Sequence, residues 1–437
     1  MNSGKKKITQ ILLTITLLSA SFASAKRQPE AEWTVVTYIQ ADNSLAPFAL
    51  KNIQTMQQAG LKNKINILVH WNMPENKKIV RYLVTKNALI EDKDIKVKTY
   101  EDHEKSLVDT MKWAATNYPA KKYMLNFWNH GSGIIDRVNY LKGRSQLRTH
   151  WLETPGLEQE SAFRGILYSD TNHTYLDNQQ LARSLEAITL TLGKKIDVIG
   201  MDACFMAMLE IGYQIKDYAK VLVASQNSEP GRGWNYAEFL KNLSKEPHLF
   251  NAQKLGKHIV NAYQKLYTGD VNFYTQSAIN LRALDSIKEN INQLVACLEQ
   301  CKNLNEKKIR KTVQTAGNIT LKFHMHDFVD LHSFYTALLK ATTKRSLNDT
   351  SGQRATTGYT KALQSLRTTL NEGLTTIEQA VYTSVAAPTY SRARGISIYL
   401  PRKKIHHSYP KTMFAQESLW LHFLETFFAS QHSVTSE

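Results

Sequence analysis

The 437-residue chain is poor in cysteine, has no long apolar run, and has no acid in its first 25 residues. Each scarcity excludes something. Cysteine occurs only at 204, 297 and 301, and no His or Cys is spaced to complete a zinc site. Cys297 and Cys301 lie four apart in a helical pattern with Ile287, Ile291, Leu294 and Leu298. Cβ atoms at that spacing are too far apart for a disulfide, so the pair reads as small apolar residues on a core face. No apolar stretch after the first 25 residues reaches the length of a membrane span. Low-complexity tracts and internal repeats are absent, as expected of a globular protein. There is no EF-hand loop of the D-x-[DN]-x-[DN]-G type, so calcium finds no support. Lys plus Arg exceed Asp plus Glu by 17, but no dense basic block follows residue 26 and no RNA-binding signature appears. Nucleic acid is therefore not an expected partner.

The first 25 residues have the order of an export signal. Lys5, Lys6 and Lys7 form a charged start, residues 8–18 a short apolar core thinned by Thr9, Gln10, Thr14 and Thr16, and Ala23-Ser24-Ala25 a small-residue cleavage site. The core is too short for a membrane anchor, and no cysteine near the cut offers a lipid attachment. The mature chain is expected to start at Lys26, in the periplasm or outside the cell. Removing the three lysines of this segment leaves a basic excess of 14 from the original 17.

Beyond it, apolar and β-branched runs alternate with helical periodicity. Strands are expected at 33–39, 65–71, 123–128, 196–201 and 221–225, a hairpin partner at 79–85, and a short strand at 164–168. Helices fit 48–58, 104–117 and a run after Asp177, which has the look of an N-cap. This alternation predicts an α/β fold with a largely parallel sheet covered on both faces. From about Leu281 the pattern turns mostly helical, through 284–302, 328–339 and 359–385, with one late strand at 395–400. The expected organisation is a signal peptide at 1–25, a catalytic domain at 26–280 and a mostly helical region at 281–437.

Two stretches stand out. In KKYMLNFWNHGSG (121–133) a buried-looking strand ends at Asn129 and His130; in KIDVIGMDACFMAM (195–208) another ends at Asp202 and Cys204. Open α/β sheets carry their chemistry at the carboxyl ends of strands. A histidine and a cysteine delivered there can meet as base and nucleophile, the histidine supplying what a thiol needs to ionise. Cys204 is expected at or just before a helix start, where the dipole favours the thiolate. Gly131 permits close backbone approach, with its N–H available to a developing oxyanion. Ser132 is not in a nucleophile-elbow frame, since 130 is His and 134 is Ile, and Cys204 fails the same frame at Asp202 and Met206.

FWNHGSG followed by GMDACFMA resembles the clostripain family of cysteine peptidases, within the caspase-like clan. WTVVTYIQADNSL, DTNHTYLDNQQLARSLEAI, ASQNSEPGRGW and ARGISIYLP agree in order, so the likeness runs from about Trp33 to Pro401. The resemblance implies a caspase-like three-layer α/β/α sandwich and a Cys–His dyad without a third carboxylate: Cys204 as nucleophile, His130 as base, and Gly131 with the Cys204 N–H as oxyanion donors. No cofactor is required, although some relatives depend on calcium. It further implies cleavage of proteins or peptides after Arg or Lys, with Asp202 at the floor of the P1 pocket. A second acid is expected after the VLVAS strand; Arg232 stands in that place and Glu229 is the nearest substitute. Relatives often cut themselves between His and Cys. Here residues 136–164 carry Arg137, Lys142, Arg144, Arg148 and Arg164 with Pro155 and Gly156, an exposed-loop composition whose candidate cut sites are Lys142, Arg144 and Arg148. The alternatives are a peptidase fold that only binds a partner, and a transpeptidase using the same dyad. The natural substrate and the oligomeric state are not legible.

Overall fold

Strand β1 (Ala31–Gln40) sets the pattern of the molecule. Trp33, Val35 and Ile39 face one core, and Val36 and Tyr38 face the other. A strand buried on both faces needs helices above and below it. The computed structural model describes residues 30–59, 64–73, 78–93, 95, 102–135, 165–344, 357–402 and 404–428.

After β1 the chain forms α1 (Ala46–Gln57), with Pro47 in its first turn, then β2 (Ile65–Met73), β3 (Lys78–Val84), β4 (Leu89–Glu91), α2 (His103–Asn117) and β5 (Ala120–Trp128). A small hairpin, β6 (Ile166–Ser169) and β7 (Thr174–Leu176), leads to α3 (Asn178–Leu192), where Asp177 and Gln180 form a reciprocal capping box. Next come β8 (Ile196–Asp202), α4 (Leu209–Ile215), β9 (Ala219–Ala224), α5 (Tyr236–Lys245), α6 (Ala252–Tyr267) and β10 (Thr275–Asn280). The chain ends through α7 (Leu284–Ile319), β11 (Phe328–Asp330), α8 (Leu331–Lys344), α9 (Thr357–Ala380), β12 (Val381–Ala386), β13 (Ser397–Tyr399), α10 (Met413–Glu417) and α11 (Trp420–Phe427). Helix α7 is broken by Asn305, whose φ of −158° and ψ of 82° leave the helical region.

The main sheet has nine strands in the order β12-β10-β9-β8-β5-β1-β2-β3-β4. The five central strands, β9 to β2, run parallel. The two at each edge are antiparallel to their inner neighbours. Helices α1, α5 and α6 cover one face through Ile53, Phe239 and Ile259; α2, α3, α4 and α7 cover the other through Leu107, Leu185, Ile211 and Ile291. The order reverses at β1, which runs on to β2 on one side while the chain returns to β5 on the other. In a sheet of this kind the carboxyl end of that reversal is where ligands bind.

Two helical expectations are corrected. The run 328–339 is helical only from Leu331, because Phe328–Asp330 pairs with the late strand as β11. The run 359–385 is helical only to Ala380; VYTSVA then forms β12 and pairs with β10. Its β-branched and aromatic residues prefer a pleated surface, and the open edge of β10 supplies the partner. The late strand is shorter than expected and lies outside the main sheet, paired with β11.

Candidate active site

Parallel pairing of β5 with β8 places Trp128 opposite Asp202, and the Asn129 N–H donates to the Asp202 carbonyl at 3.3 Å. His130 and Cys204 therefore leave the sheet side by side, each two residues past the same paired position. Gly131 closes the gap between them. A Cβ there would overlap the Cys204 carbonyl oxygen and come within 3.1 Å of Ala203 Cβ, so only glycine permits this approach.

The histidine end is braced from β1. Ser44, in the turn after β1, has its Oγ 2.9 Å from His130 Nε2. Next to His130, the Asn129 amide donates to the carbonyls of Gln40 (2.6 Å) and Tyr168 (3.2 Å) and accepts the Tyr168 N–H (2.8 Å). Asp42 takes the hydroxyls of Ser169 (2.5 Å) and Thr171 (2.6 Å). These bonds tie the ends of β1, β5 and β6 together and brace the backbone before His130.

Cys204 is half-buried and unbridged. Burial pushes its thiol up to about 11, against an opposing hydrogen bond from the Glu229 N–H, which reaches Sγ at 3.2 Å. The expected helix start is not there: α4 begins at Leu209, so no dipole acts on the sulfur. The intervening residues instead turn at Cys204–Phe205 and are tied to the loop after β9, with the Phe205 N–H on the Asn227 carbonyl (3.1 Å) and the Ala207 N–H on the Ser225 carbonyl (2.8 Å). Phe205 takes a φ of 64°, a left-handed conformation that costs a bulky residue about 1–3 kcal/mol. The packing of its ring against Phe328, centroids 5.9 Å apart, helps to hold it there.

Beside the sulfur lies a buried acid pair. Asp202 Oδ2 accepts the Tyr236 hydroxyl at 2.6 Å and the Trp234 N–H at 3.2 Å. Glu229 Oε1 accepts the Gln276 amide at 3.3 Å, and the two carboxyls hydrogen-bond to each other. Burial raises both groups, and the charge of Asp202 raises Glu229 further. Glu229 is therefore held more strongly toward its neutral form than Asp202 is. Arg232 does not reach into this pair as an uncompensated charge. It forms an ion pair with Asp270 and its guanidinium lies 5.3 Å from the Tyr267 ring centroid.

Sequence reasoning missed Ser44, Tyr236 and Gln276. Ser44 had a usable signal, since its turn follows a central strand. Tyr236 and Gln276 had none, because they reach the acids across long separations in the chain. Cys297 and Cys301 lie on α7, the first half-buried with Sγ 3.6 Å from Thr369 Oγ1, the second buried. The proposed cut sites Lys142, Arg144 and Arg148, and the segment 1–25, lie outside the described residues. No helix among the described residues is long and apolar enough to cross a membrane.

Known proteins share this fold. The clostripain family model (Peptidase_C11) matches residues 37–427. The fold is similar to that of a secreted C11 cysteine protease from Bacteroides thetaiotaomicron solved with an irreversible peptide inhibitor, at 18% identity and a TM-score of 0.60 over 90% of this chain and 100% of that one. It is also similar to an inactive zymogen C11 protease from Parabacteroides distasonis, at 17% identity and a TM-score of 0.53 over 91% of this chain and 99% of that one. No curated protein matches. A caspase-like sheet, matched along most of its length by the family model, leaves one conclusion: the chain belongs to the clostripain family and is a cysteine peptidase.

Proposed function

We propose that the chain is an exported endopeptidase acting through Cys204 and His130, with a preference for Arg or Lys at P1. The observation that carries this is the register of β5 against β8, which sets both residues at one height beyond the sheet reversal. Because the resting thiol is protonated, the nucleophile forms on demand: Cys204 Sγ attacks the scissile carbonyl carbon as its proton passes to His130. The carbonyl oxygen takes the electron pair beside the N–H groups of Gly131 and Cys204. Collapse breaks the C–N bond, His130 gives its proton to the leaving amine, and a thioester remains. Water, deprotonated by His130, then releases the acid and restores the thiol. The chemistry needs no cofactor.

Asp202 and Glu229 form the floor for the P1 side chain. A P1 guanidinium or ammonium pairs with Asp202 and favours the ionised form of both acids in a desolvated site. Neutral and acidic side chains leave the acids uncompensated and are rejected. The ion pair between Arg232 and Asp270 supports this, since it removes the charge that would repel such a substrate. The exposed-loop composition of 136–164 supports a precursor activated by a cut at Lys142, Arg144 or Arg148, with removal of 1–25 on export. The test is a peptide-library cleavage profile of purified mature protein with a Cys204→Ala control. Cleavage after Arg or Lys that vanishes in the variant is expected; a profile led by acidic P1 residues, or one unchanged in the variant, would overturn the reading.

A further inference from the structure

Residues 225–229 run from β9 to the acid pair and pass beside Cys204, where Glu229 donates its N–H to the sulfur. What holds that N–H in place comes mainly from the far end of the chain. Gln226, Asn227 and Ser228 are all buried. Gln226 Nε2 donates to Asp330 Oδ2 at 3.0 Å, and its Oε1 accepts the Gly395 N–H at 2.9 Å. Asp330 also accepts the N–H groups of Ser333 and Arg394, each at 2.7 Å. Asn227 Oδ1 accepts the His324 N–H at 3.0 Å, while its Nδ2 donates to the Phe273 carbonyl at 2.9 Å. Ser228 Oγ lies 2.9 Å from His324 Nδ1.

His324 therefore grips two consecutive residues, one with its backbone and one with its ring. It sits in the loop before β11, with the rings of Phe273 and Tyr390 each 6.0 Å from its own. The residue after its second contact is Glu229. A hydrogen bond to a developing thiolate is worth more than one between neutral groups, so a small displacement of this N–H is felt in the rate.

We propose that His324 is a positioning residue of the active site, holding Asn227 and Ser228 so that the Glu229 N–H meets Cys204 Sγ as the thiolate forms. The residue acts through another group and touches neither substrate nor the reacting atoms. The proposal rests on the reading of Cys204 as nucleophile. Burial holds the imidazole down at about 4, with the charge of His326 adding to the effect, so at neutral pH it works as a neutral hydrogen-bonding group. The other titratable groups around the sulfur are Asp202, Glu229 and Tyr263, with His130 on the neighbouring strand end.

The test compares His324→Ala, His324→Asn, Ser228→Ala and the double variant His324→Ala/Ser228→Ala, with the exposed neighbour His326→Ala as control. Peptide hydrolysis, thermal midpoint and the rate of Cys204 alkylation by iodoacetamide at pH 8 are measured for each. His324→Ala is expected to lower kcat about tenfold with KM within about twofold, and to slow alkylation by a similar factor. Ser228→Ala should match it, and the double variant should be no worse than either single, because both break one contact. An asparagine amide can stand where Nδ1 does, so His324→Asn should recover most of the rate, and His326→Ala should equal wild type. A kcat and an alkylation rate in His324→Ala that equal wild type, or faster alkylation, would overturn the proposal, as would independent losses in the double variant. If His324→Ala does not fold, Ser228→Ala and His324→Asn carry the test. If wild type shows no peptidase activity the functional reading fails, yet the alkylation rates still decide the role of His324.

Discussion

Cys204 and Cys301 are both unbridged, and burial pushes both thiols up, to about 11 and about 12. By acidity alone they are the same kind of residue. Their surroundings differ. Cys301 lies inside α7 among Leu294, Leu298 and the apolar side chains packed on them, and its polar neighbour is another thiol, Cys297. Cys204 lies two residues past the end of β8, is only half-buried, receives the Glu229 N–H, and leaves the sheet beside a histidine. If Cys204 is the nucleophile, as proposed above, a depressed thiol pKa is not what sets it apart. Access, an oriented donor and a base on the adjacent strand do so.

The sharpest way to break that comparison is to remove each sulfur in turn. Cys204→Ala and His130→Ala should each lower kcat/KM about 10³-fold or more, because nucleophile and base act as one unit, while Cys301→Ala should leave it unchanged. Full activity in Cys204→Ala would erase the distinction. The next effect is on specificity. Asp202→Asn should lower kcat/KM for a P1 Arg substrate about 100-fold and change a matched P1 Ala substrate far less, since the loss is that of a desolvated charge partner. Equal losses on both substrates would show that Asp202 orders the loop rather than reading the side chain.

The contrast between the two cysteines was visible in the sequence because it is a contrast of local pattern. A β-branched run stopping at Asp202-Ala203-Cys204 reads as a strand end, and Cys297 and Cys301 at helical spacing read as one face. Parallel pairing then brings 130 and 204 together, since neighbouring strands of such a sheet end at one side. What was not legible depended on distant partners. Phe205 is held at positive φ within packing supplied by Phe328, and the path from 205 to 208 is fixed by Ser225, Asn227 and Ser397, so α4 starts later than local periodicity suggests. Helix α9 runs into β12 with no glycine or proline between them, and only the edge of β10 decides where the helix stops. The polar run TQSAIN of β10 gives no strand signal of its own and is ordered by β9 and β12.

The comparison also makes a prediction about pH. A thiol whose folded pKa is raised is protonated below that value, so its alkylation rate climbs with pH until the thiolate fraction saturates. In the unmodified protein, iodoacetamide labelling of Cys204 should rise about tenfold per pH unit between pH 7 and 10 and level off near 11, the value to which burial pushes the thiol. Cys301 should stay unlabelled across that range as long as the protein is folded, because reagent does not reach it. Peptide mass spectrometry after timed labelling separates the two sites. A plateau below pH 8 at Cys204 would mean a preformed thiolate and a different first step.

The smallest effect concerns what Cys301 is for. If it is packing, its removal should be felt only in stability. The Cys301 side chain is fully buried, and truncating it to alanine takes a sulfur out of a close-packed helix face. The expected cost is about 1 kcal/mol, the centre of the range for a single substitution, read as a lower denaturation midpoint with an unchanged slope. Cys204→Ala should cost less, since the residue is only half-buried and lies at the edge of the packed core rather than inside a helix face. The two alanine variants should therefore separate along opposite axes, one losing turnover and keeping its midpoint, the other losing midpoint and keeping its turnover. A Cys301→Ala protein with a lower kcat at an unchanged midpoint would tie α7 to the chemistry and remove the distinction between the two thiols.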